Sequence, residues 1–268
     1  MPIITLTSDY GPERFYAGIL RGALLAAVPD AQVVDLSHDV RKFSETDAAL
    51  ILRSCVQHFP KGTIHIIAVS TEATPESPHR IVKIEDQYFI GADTGLFHLI
   101  FGKEPDAVYD LSSMMADFDY PTFPERSLFV PAASHLSRGG IPELLGRPAK
   151  LVNPKNILKP VYEDHVITGH VIHVDGFGNC ITDIDKKLFK EVGTDRPFVI
   201  VMRSSRSDIR KIHTTYSAVP IGESVAVFNH LGLLEIAINR GAPSQGNVGA
   251  SGLLGIKQDD VIRIEFAR

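Results

Sequence analysis

Up to Val69 the chain switches repeatedly between two hydrophobic periods, and no other feature narrows its possible folds as much. Pro2 to Ser8 is a β-rich run that stops at the turn Asp9-Tyr10-Gly11-Pro12. From Glu13 to Val28 the apolar residues Phe15, Ile19, Leu20, Leu24 and Val28 recur at helical spacing. Ala31 to Leu36 reads as a buried strand. Ser44 followed by Asp47 forms a capping box ahead of Ala48, Leu50, Ile51, Leu52 and Val56, and Pro60-Lys61-Gly62 stops that helix. Thr63 to Val69 is then a third strand. Strands joined by short helical crossovers predict a mostly parallel sheet covered by helices, a Rossmann-like α/β arrangement. Ser70 to His79 is polar, contains Pro75 and Pro78, and leaves the carboxyl end of a strand, where open α/β sheets bind ligands. Arg80 to Glu85 and Gln87 to Ala92 pattern as a hairpin and Thr94 to Phe101 as a short helix. Leu128 to Ser137 reads as a helix carrying His135 and ending at Gly139-Gly140-Ile141-Pro142.

Beyond Asn153-Pro154-Lys155 the pattern changes. Gly169 to Val174, Phe198 to Met202, Glu223 to Phe228, Leu233 to Ile238 and Val261 to Phe266 are short strands separated by turns, and long helical repeats are scarce. The expected architecture is therefore an N-terminal α/β domain over residues 1–155 and a smaller C-terminal all-β barrel over residues 166–268. Gly241 to Gly252, rich in Gly, Ser and Asn, reads as a loop.

The charge balance sets limits on partners. With 27 Lys+Arg against 32 Asp+Glu the net charge is 27 − 32 = −5, which lacks the basic footprint of a sequence-independent nucleic-acid binder. No apolar run approaches the ~18 residues of a membrane span. MPIITLTSDYG has no basic segment followed by an apolar core, so no signal peptide is expected and the cytoplasm is the expected compartment. The two cysteines, Cys55 and Cys180, are far apart and read as small buried hydrophobes. His170 and His173 fall on opposite faces of a strand, and no metal site is expected. No GxGxxG follows the first strand and no GxxxxGK[ST] occurs, which argues against a phosphate-cradling loop.

Several positions carry chemistry beside a plainer alternative. Asp9 ends the first strand at the ligand edge, where its carboxylate can take two ribose hydroxyls or simply cap the next helix. In Asp175-Gly176-Phe177-Gly178-Asn179, glycines flank Phe177 and leave its ring open to a planar partner. Asn179 suits a purine edge, and the same residues suit a β-turn. His135 follows the small residues Pro131-Ala132-Ala133-Ser134, which admit either a ligand or a neighbouring backbone.

Taken together, these pieces resemble the S-adenosylmethionine hydroxide adenosyltransferases, the adenosine-forming hydrolases related to fluorinase and chlorinase. Ser8-Asp9-Tyr10-Gly11 is similar to that family's T-D-F-G. Tyr88-Phe89-Ile90-Gly91-Ala92-Asp93-Thr94-Gly95-Leu96 is similar to Y-F-V-G-P-D-N-G-L, and Phe129-Val130-Pro131-Ala132-Ala133-Ser134-His135-Leu136 to F-A-P-A-A-A-H-L. Asp175 to Asn179 resembles D-x-F-G-N, and Phe228-Asn229 through Asn239 resembles N-S-x-G-Y-L-x-I-A-x-N. The resemblance implies a homotrimer in which an adenosyl ligand lies between the N-terminal domain of one subunit and the C-terminal domain of the next. It also implies no metal and no cofactor besides the substrate S-adenosylmethionine. Asp9 then takes the ribose, Phe177 and Tyr216 stack on adenine, Asn179 meets its polar edge and Asp175 faces the methionine ammonium.

The sequence departs from that family in the segment that handles water. The family's V-D-P-G-V-G-T-x-R is replaced by Val69 to Arg80, with Ser70 at the Asp position and Ser77 at the Arg position. Arg80 lies three residues beyond, and Glu72 is the nearest replacement carboxylate. G-R-D has become Glu125-Arg126-Ser127, and His230-Leu231 stands where halogenating relatives have Ser-Arg. These readings put the reaction centre at His135, Ser70 and Arg80, with water attacking the ribose C5′. The alternative is an adenosyl binder of the same fold that does not turn over. Halide chemistry ranks below both, because Glu125 would repel an anion.

Overall fold

The computed structural model describes residues 1–268 except 12–14, 118–121, 153–158, 194–195, 203–206, 243–245 and 247. The chain divides into two compact units, Met1–Ile157 and Leu158–Arg268, and is a mixed α/β protein with two sheets. The segment at Asn153-Pro154-Lys155 lies outside the described residues. Among them, no helix is long and apolar enough to cross a membrane.

The first unit contains β1 (Ile3–Ser8), α1 (Phe15–Ala27), β2 (Gln32–Ser37), α2 (Glu45–Cys55), β3 (Ile64–Ala68), β4 (His79–Ile84), β5 (Gln87–Ala92), α3 (Leu96–Phe101), β6 (Ala107–Asp110), α4 (Val130–Ser137) and β7 (Arg147–Pro148). Its sheet runs β2-β1-β3-β5-β4-β6-β7. The ladders β1·β2, β1·β3 and β3·β5 are parallel, whereas β4·β5, β4·β6 and β6·β7 are antiparallel. The sheet is thus half parallel, where the sequence pattern led to a mostly parallel one. The reversal begins at Glu85 and Asp86, whose φ angles of 52° and 60° make the left-handed pair that a two-residue hairpin needs.

Each face of this sheet carries its own core. On one side α1 packs Leu20 and Leu24, and the turn leading into α4 packs Leu128 and Phe129, against Ile4, Leu6, Ile66, Ile81 and Ile90. On the other, α2 and α3 pack Leu52, Leu96 and Phe97 against Ile67, Val82 and Phe89. Of the helical stripe in α1, Leu20 and Leu24 are fully buried while Phe15 and Ile19 stay exposed. Ser44 caps α2 as expected, its hydroxyl accepting from the Asp47 amide. The turn from Glu125 to Phe129 is a π-helix running directly into α4. Pro131, which has no amide hydrogen to offer the preceding turn, sits beside the change of winding.

The second unit contains β8 (Val161–Glu163), β9 (Val166–Val174), β10 (Cys180–Asp185), α5 (Lys186–Gly193), β11 (Phe198–Val201), β12 (Ile212–His213), β13 (Ser224–Phe228), β14 (Leu233–Ile238), α6 (Ala250–Leu254) and β15 (Val261–Phe266). Its sheet runs β11-β15-β9-β10-β14-β13-β12, with β8 on β9, and an isolated bridge from Ile200 to Ile209 curls the run before β12 back onto β11. The unit is not purely strands. α5 buries Val192, with Leu188 and Phe189 packed on the same core, and α6 occupies part of the Gly241–Gly252 segment read as loop, of which 243–245 and 247 lie outside the described residues.

Candidate functional site

Parallel pairing brings the carboxyl ends of β1, β2 and β3 to one edge, since Ser8 pairs with Ala68 and Thr7 with Ser37. Asp9 stands at that edge as the strand pattern implied. Its Oδ2 accepts the Phe43 amide at 2.9 Å, so it anchors the Val40–Phe43 segment rather than capping α1 through that oxygen. Beside it the Ser8 hydroxyl meets His38 Nδ1 at 2.6 Å. Ser70 follows β3 with φ of +50°, a strained conformation for a serine.

The next residue, Thr71, is held from two sides. Its carbonyl accepts from His79 Nε2 at 2.7 Å, and its hydroxyl donates to Glu125 Oε1 at 2.8 Å. Glu125 is only 3% exposed. Burial first, and the charge of Asp9 after it, push the Glu125 carboxyl above its ordinary range against the pull of Thr71. The Tyr10 ring lies between His38, Tyr16 and Phe123, with its buried hydroxyl facing Glu125 but making no well-formed hydrogen bond. That phenol is pushed far up, by burial and then by Glu125. His79, edge-on to Phe129 at 5.1 Å, is pulled down by burial, which its bond to Thr71 only partly offsets.

His135, Ser70 and Arg80, grouped as a reaction centre on sequence grounds, do not come together. Arg80 neighbours His79 in β4, and successive strand residues face opposite sides. His79 and Ile81 face the α4 side, so Arg80 and Val82 face α2 and α3. There the Arg80 guanidinium pairs with Asp110 at 2.8 Å. His135 sits at the far end of α4, about 15 Å along the helix from Glu125 at ~1.5 Å per residue. Its neighbours Ser134 and Arg138 hydrogen-bond the Ala27 carbonyl at the end of α1, where the chain turns to begin β2 beside Pro2. That is the opposite edge of the sheet. The ring itself contacts the Ile141 carbonyl at 3.0 Å and lies against Gly140.

In the second unit, Asp175 organises the turn between β9 and β10. Its Oδ1 accepts the Phe177 and Asn179 amides, both at 2.9 Å, and its Oδ2 accepts Asn179 Nδ2 at 3.0 Å. The Gly178 amide closes the turn onto the Asp175 carbonyl, with Gly178 at φ +76°. The motif is an Asp-nucleated turn, as one of its two readings has it, and Phe177 on it has 62% of its surface exposed. Tyr216 is 43% exposed. Its hydroxyl donates to Glu235 at 2.7 Å, and burial first and that bond after it push the phenol up. Glu235, itself buried, also accepts from Asn229 Nδ2 at 3.3 Å. Cys180 is a buried hydrophobe as expected, its thiol pushed up to about 12 chiefly by burial.

Gly249 holds this turn from outside. A Cβ there would come within 2.3 Å of the Phe177 carbonyl, while the Ser251 amide donates to the Gly178 carbonyl. Gly249→Ala is expected to destabilise the protein by about 1–3 kcal/mol, the usual cost of forced overpacking. Urea denaturation measures it, and an unchanged midpoint would contradict this packing.

Sequence reasoning gave no role to Thr71, His79 or Glu235. Glu235 was detectable as the one charged residue in the apolar run Leu233 to Ile238. Glu125 was visible as a departure but its burial was not.

The first unit thus presents a carboxylate at the end of a parallel strand, and the second presents exposed rings on and near a braced turn. The chain belongs to the SAM hydroxide adenosyltransferase family, matching its N-terminal domain over residues 4–146 and its C-terminal domain over residues 169–263. It is 27% identical to the (R)-S-adenosyl-L-methionine hydrolase of Thermus thermophilus over 96% of this chain and 97% of that one. It is 24% identical to the fluorinase of Nocardia brasiliensis, over 89% and 90%. A crystal structure of an uncharacterized conserved protein from Thermotoga maritima superposes with a TM-score of 0.84 at 27% identity, covering 98% of this chain and 99% of that one.

Proposed function

We propose that the protein is an adenosine-forming S-adenosylmethionine hydrolase. Water attacks the ribose C5′, the C5′–S bond breaks with its electron pair going to sulfur, and methionine leaves as a neutral thioether while one water proton is released. A sulfonium leaves without a charge to stabilise, so alignment and partial desolvation of water suffice and no metal is required by the chemistry. Asp9 at the sheet edge carries this reading, on a chain matched in both halves by one adenosyl-transferring family. Asp9 would bind the ribose hydroxyls, Phe177 and Tyr216 would stack on adenine, and Asn179 would read its edge through its carbonyl oxygen. Asp175 would hold the turn and lend its remaining charge to the methionine ammonium. A Rossmann-like first domain, a barrel-like second one, a homotrimer that completes each site across a subunit boundary and a cytoplasmic home all belong to this proposal. The separation of His135 and Arg80 from Ser70 favours a second reading, an adenosyl binder without turnover.

One experiment separates them. Incubation with S-adenosylmethionine is expected to release adenosine, followed by chromatography, and adenosine is expected to bind in calorimetry. Phe177→Ala is expected to weaken that binding about tenfold, a modest stacking loss. Binding without release leaves the second reading, and neither binding nor release overturns both.

A further inference from the structure

We propose that Glu125 accepts the proton of the attacking water, with Thr71 fixing the orientation of its carboxylate. This inference rests on the hydrolase reading. It arises because the residues grouped on sequence grounds around Ser70 are dispersed while a different group is assembled there. Glu125 is almost fully buried at the carboxyl edge of the parallel strands, and among the described residues no cation is paired with it. A carboxylate buried against two neutral hydroxyls and its own backbone amide, with no cation, is costly, and a glutamine would hold Thr71 at lower cost. Such a group at a sheet edge points to chemistry rather than to packing.

Three further features converge on it. Glu125 opens the π-turn, a winding that places the carboxylate toward Thr71 and is common at functional sites. Ser70 beside Thr71 is held at positive φ. The Tyr10 hydroxyl leans on the same carboxylate without a well-formed hydrogen bond, and its oxygen can still accept from the water that Glu125 deprotonates. The groups facing Glu125 are Asp9 and Tyr10 after β1, Tyr16 of α1 behind Tyr10, and Thr71 after β3 with His79 behind it; Arg126 neighbours it on its own turn and is exposed. The balance is simple. Water oxygen bonds to C5′, the C5′–S pair passes to sulfur, the proton passes to Glu125 and then to solvent.

The test uses single-turnover hydrolysis of S-adenosylmethionine by wild type, Glu125→Gln and Glu125→Asp, with adenosine calorimetry on each. Glu125→Gln is expected to slow the chemical step about 100-fold, the lower range for a lost general base, while adenosine affinity stays within about twofold. Glu125→Asp should recover part of the rate. The wild-type rate should rise with pH through a midpoint above the ordinary glutamate value, because only the ionised carboxylate accepts a proton and burial holds it protonated longer. That rise should vanish in Glu125→Gln. Hydrolysis by Glu125→Gln within about threefold of wild type overturns the role of Glu125 and leaves the hydrolase reading standing. A wild-type profile with no such rise above the ordinary glutamate value does the same, and decides the matter if Glu125→Gln does not fold. Wild type without turnover overturns both.

Discussion

Asp110→Ala is expected to destabilise the first unit by about 3 kcal/mol, the scale for stranding one member of a buried ion pair, and Arg80→Met by clearly less. The asymmetry follows from where the two charges lie. The Arg80 side chain is 6% exposed and that of Asp110 33%. Without Asp110, the guanidinium stays buried with the charge of Asp93 still acting on it, and burial already pushes the Asp93 carboxyl up. Without Arg80, Asp110 keeps water and the amide and hydroxyl of Ser112. The pair bridges directly opposed residues of β4 and β6, so its loss loosens the antiparallel half of the sheet. Acid should mimic the loss. Burial raises the Asp110 carboxyl, but Ser112 and Arg80 together bring it below its ordinary range. Its contribution is therefore complete above the unfolded carboxylate value and lost as pH falls through the lower folded one. Urea midpoints of both variants across pH measure this. Equal destabilisation by the two would show that Arg80 is not the buried, dependent partner. A loss of S-adenosylmethionine hydrolysis in folded Arg80→Met, beyond its stability effect, would return Arg80 to the reaction centre.

What could be read from the chain and what could not divides along the range of the interactions. The hairpin at Glu85-Asp86, the Ser44 cap and the strand from Leu233 to Ile238 are set within a few residues, and local pattern finds them. α5 is equally local: Asp185 accepts the Leu188 amide, and Leu188, Phe189 and Val192 mark a helical face. It was masked by the density of strand signals around it. Asp9 was placed at its edge because a strand's end defines an edge. His135 was misplaced because the end of a helix that reaches a given edge depends on packing between elements. The contact of α4 with Ala27 settles it, and no sequence spacing encodes that contact. Arg80 was decidable in part. Period-two alternation with His79 puts the two on opposite faces, but which face carries Thr71 is known only from the fold.

Asp175→Ala is expected to reduce adenosine affinity at least 100-fold, about 2.7 kcal/mol, and to cost about 2 kcal/mol of stability, about 1 kcal/mol for each of its two backbone acceptor bonds after water compensates the third. The carboxylate holds the Phe177 amide, the Asn179 amide and the Asn179 side chain. Without it, the exposed Phe177 ring has no fixed plane, and Asn179, which is 9% exposed, loses the partner of its amide group. Rigid presentation matters here because a stacking ring ordered only on binding gives back much of its stacking energy. Asp175→Asn separates the turn from the charge. Its amide oxygen still accepts both backbone N–H groups, while its NH2 opposes that of Asn179, so the turn survives weakened. If Asp175 acts only as the turn's organiser, Asp175→Asn lowers the affinities for adenosine and S-adenosylmethionine by the same factor. If its charge also meets the methionine ammonium, the affinity for S-adenosylmethionine falls further than that for adenosine. With both acceptor sites of Oδ1 and one of Oδ2 engaged inside the turn, that second effect comes from the free lone pair of Oδ2 and from the through-space attraction of the charge. The difference is expected to be small beside the shared loss, and a calorimetric comparison of the two ligands on the one variant reads it directly.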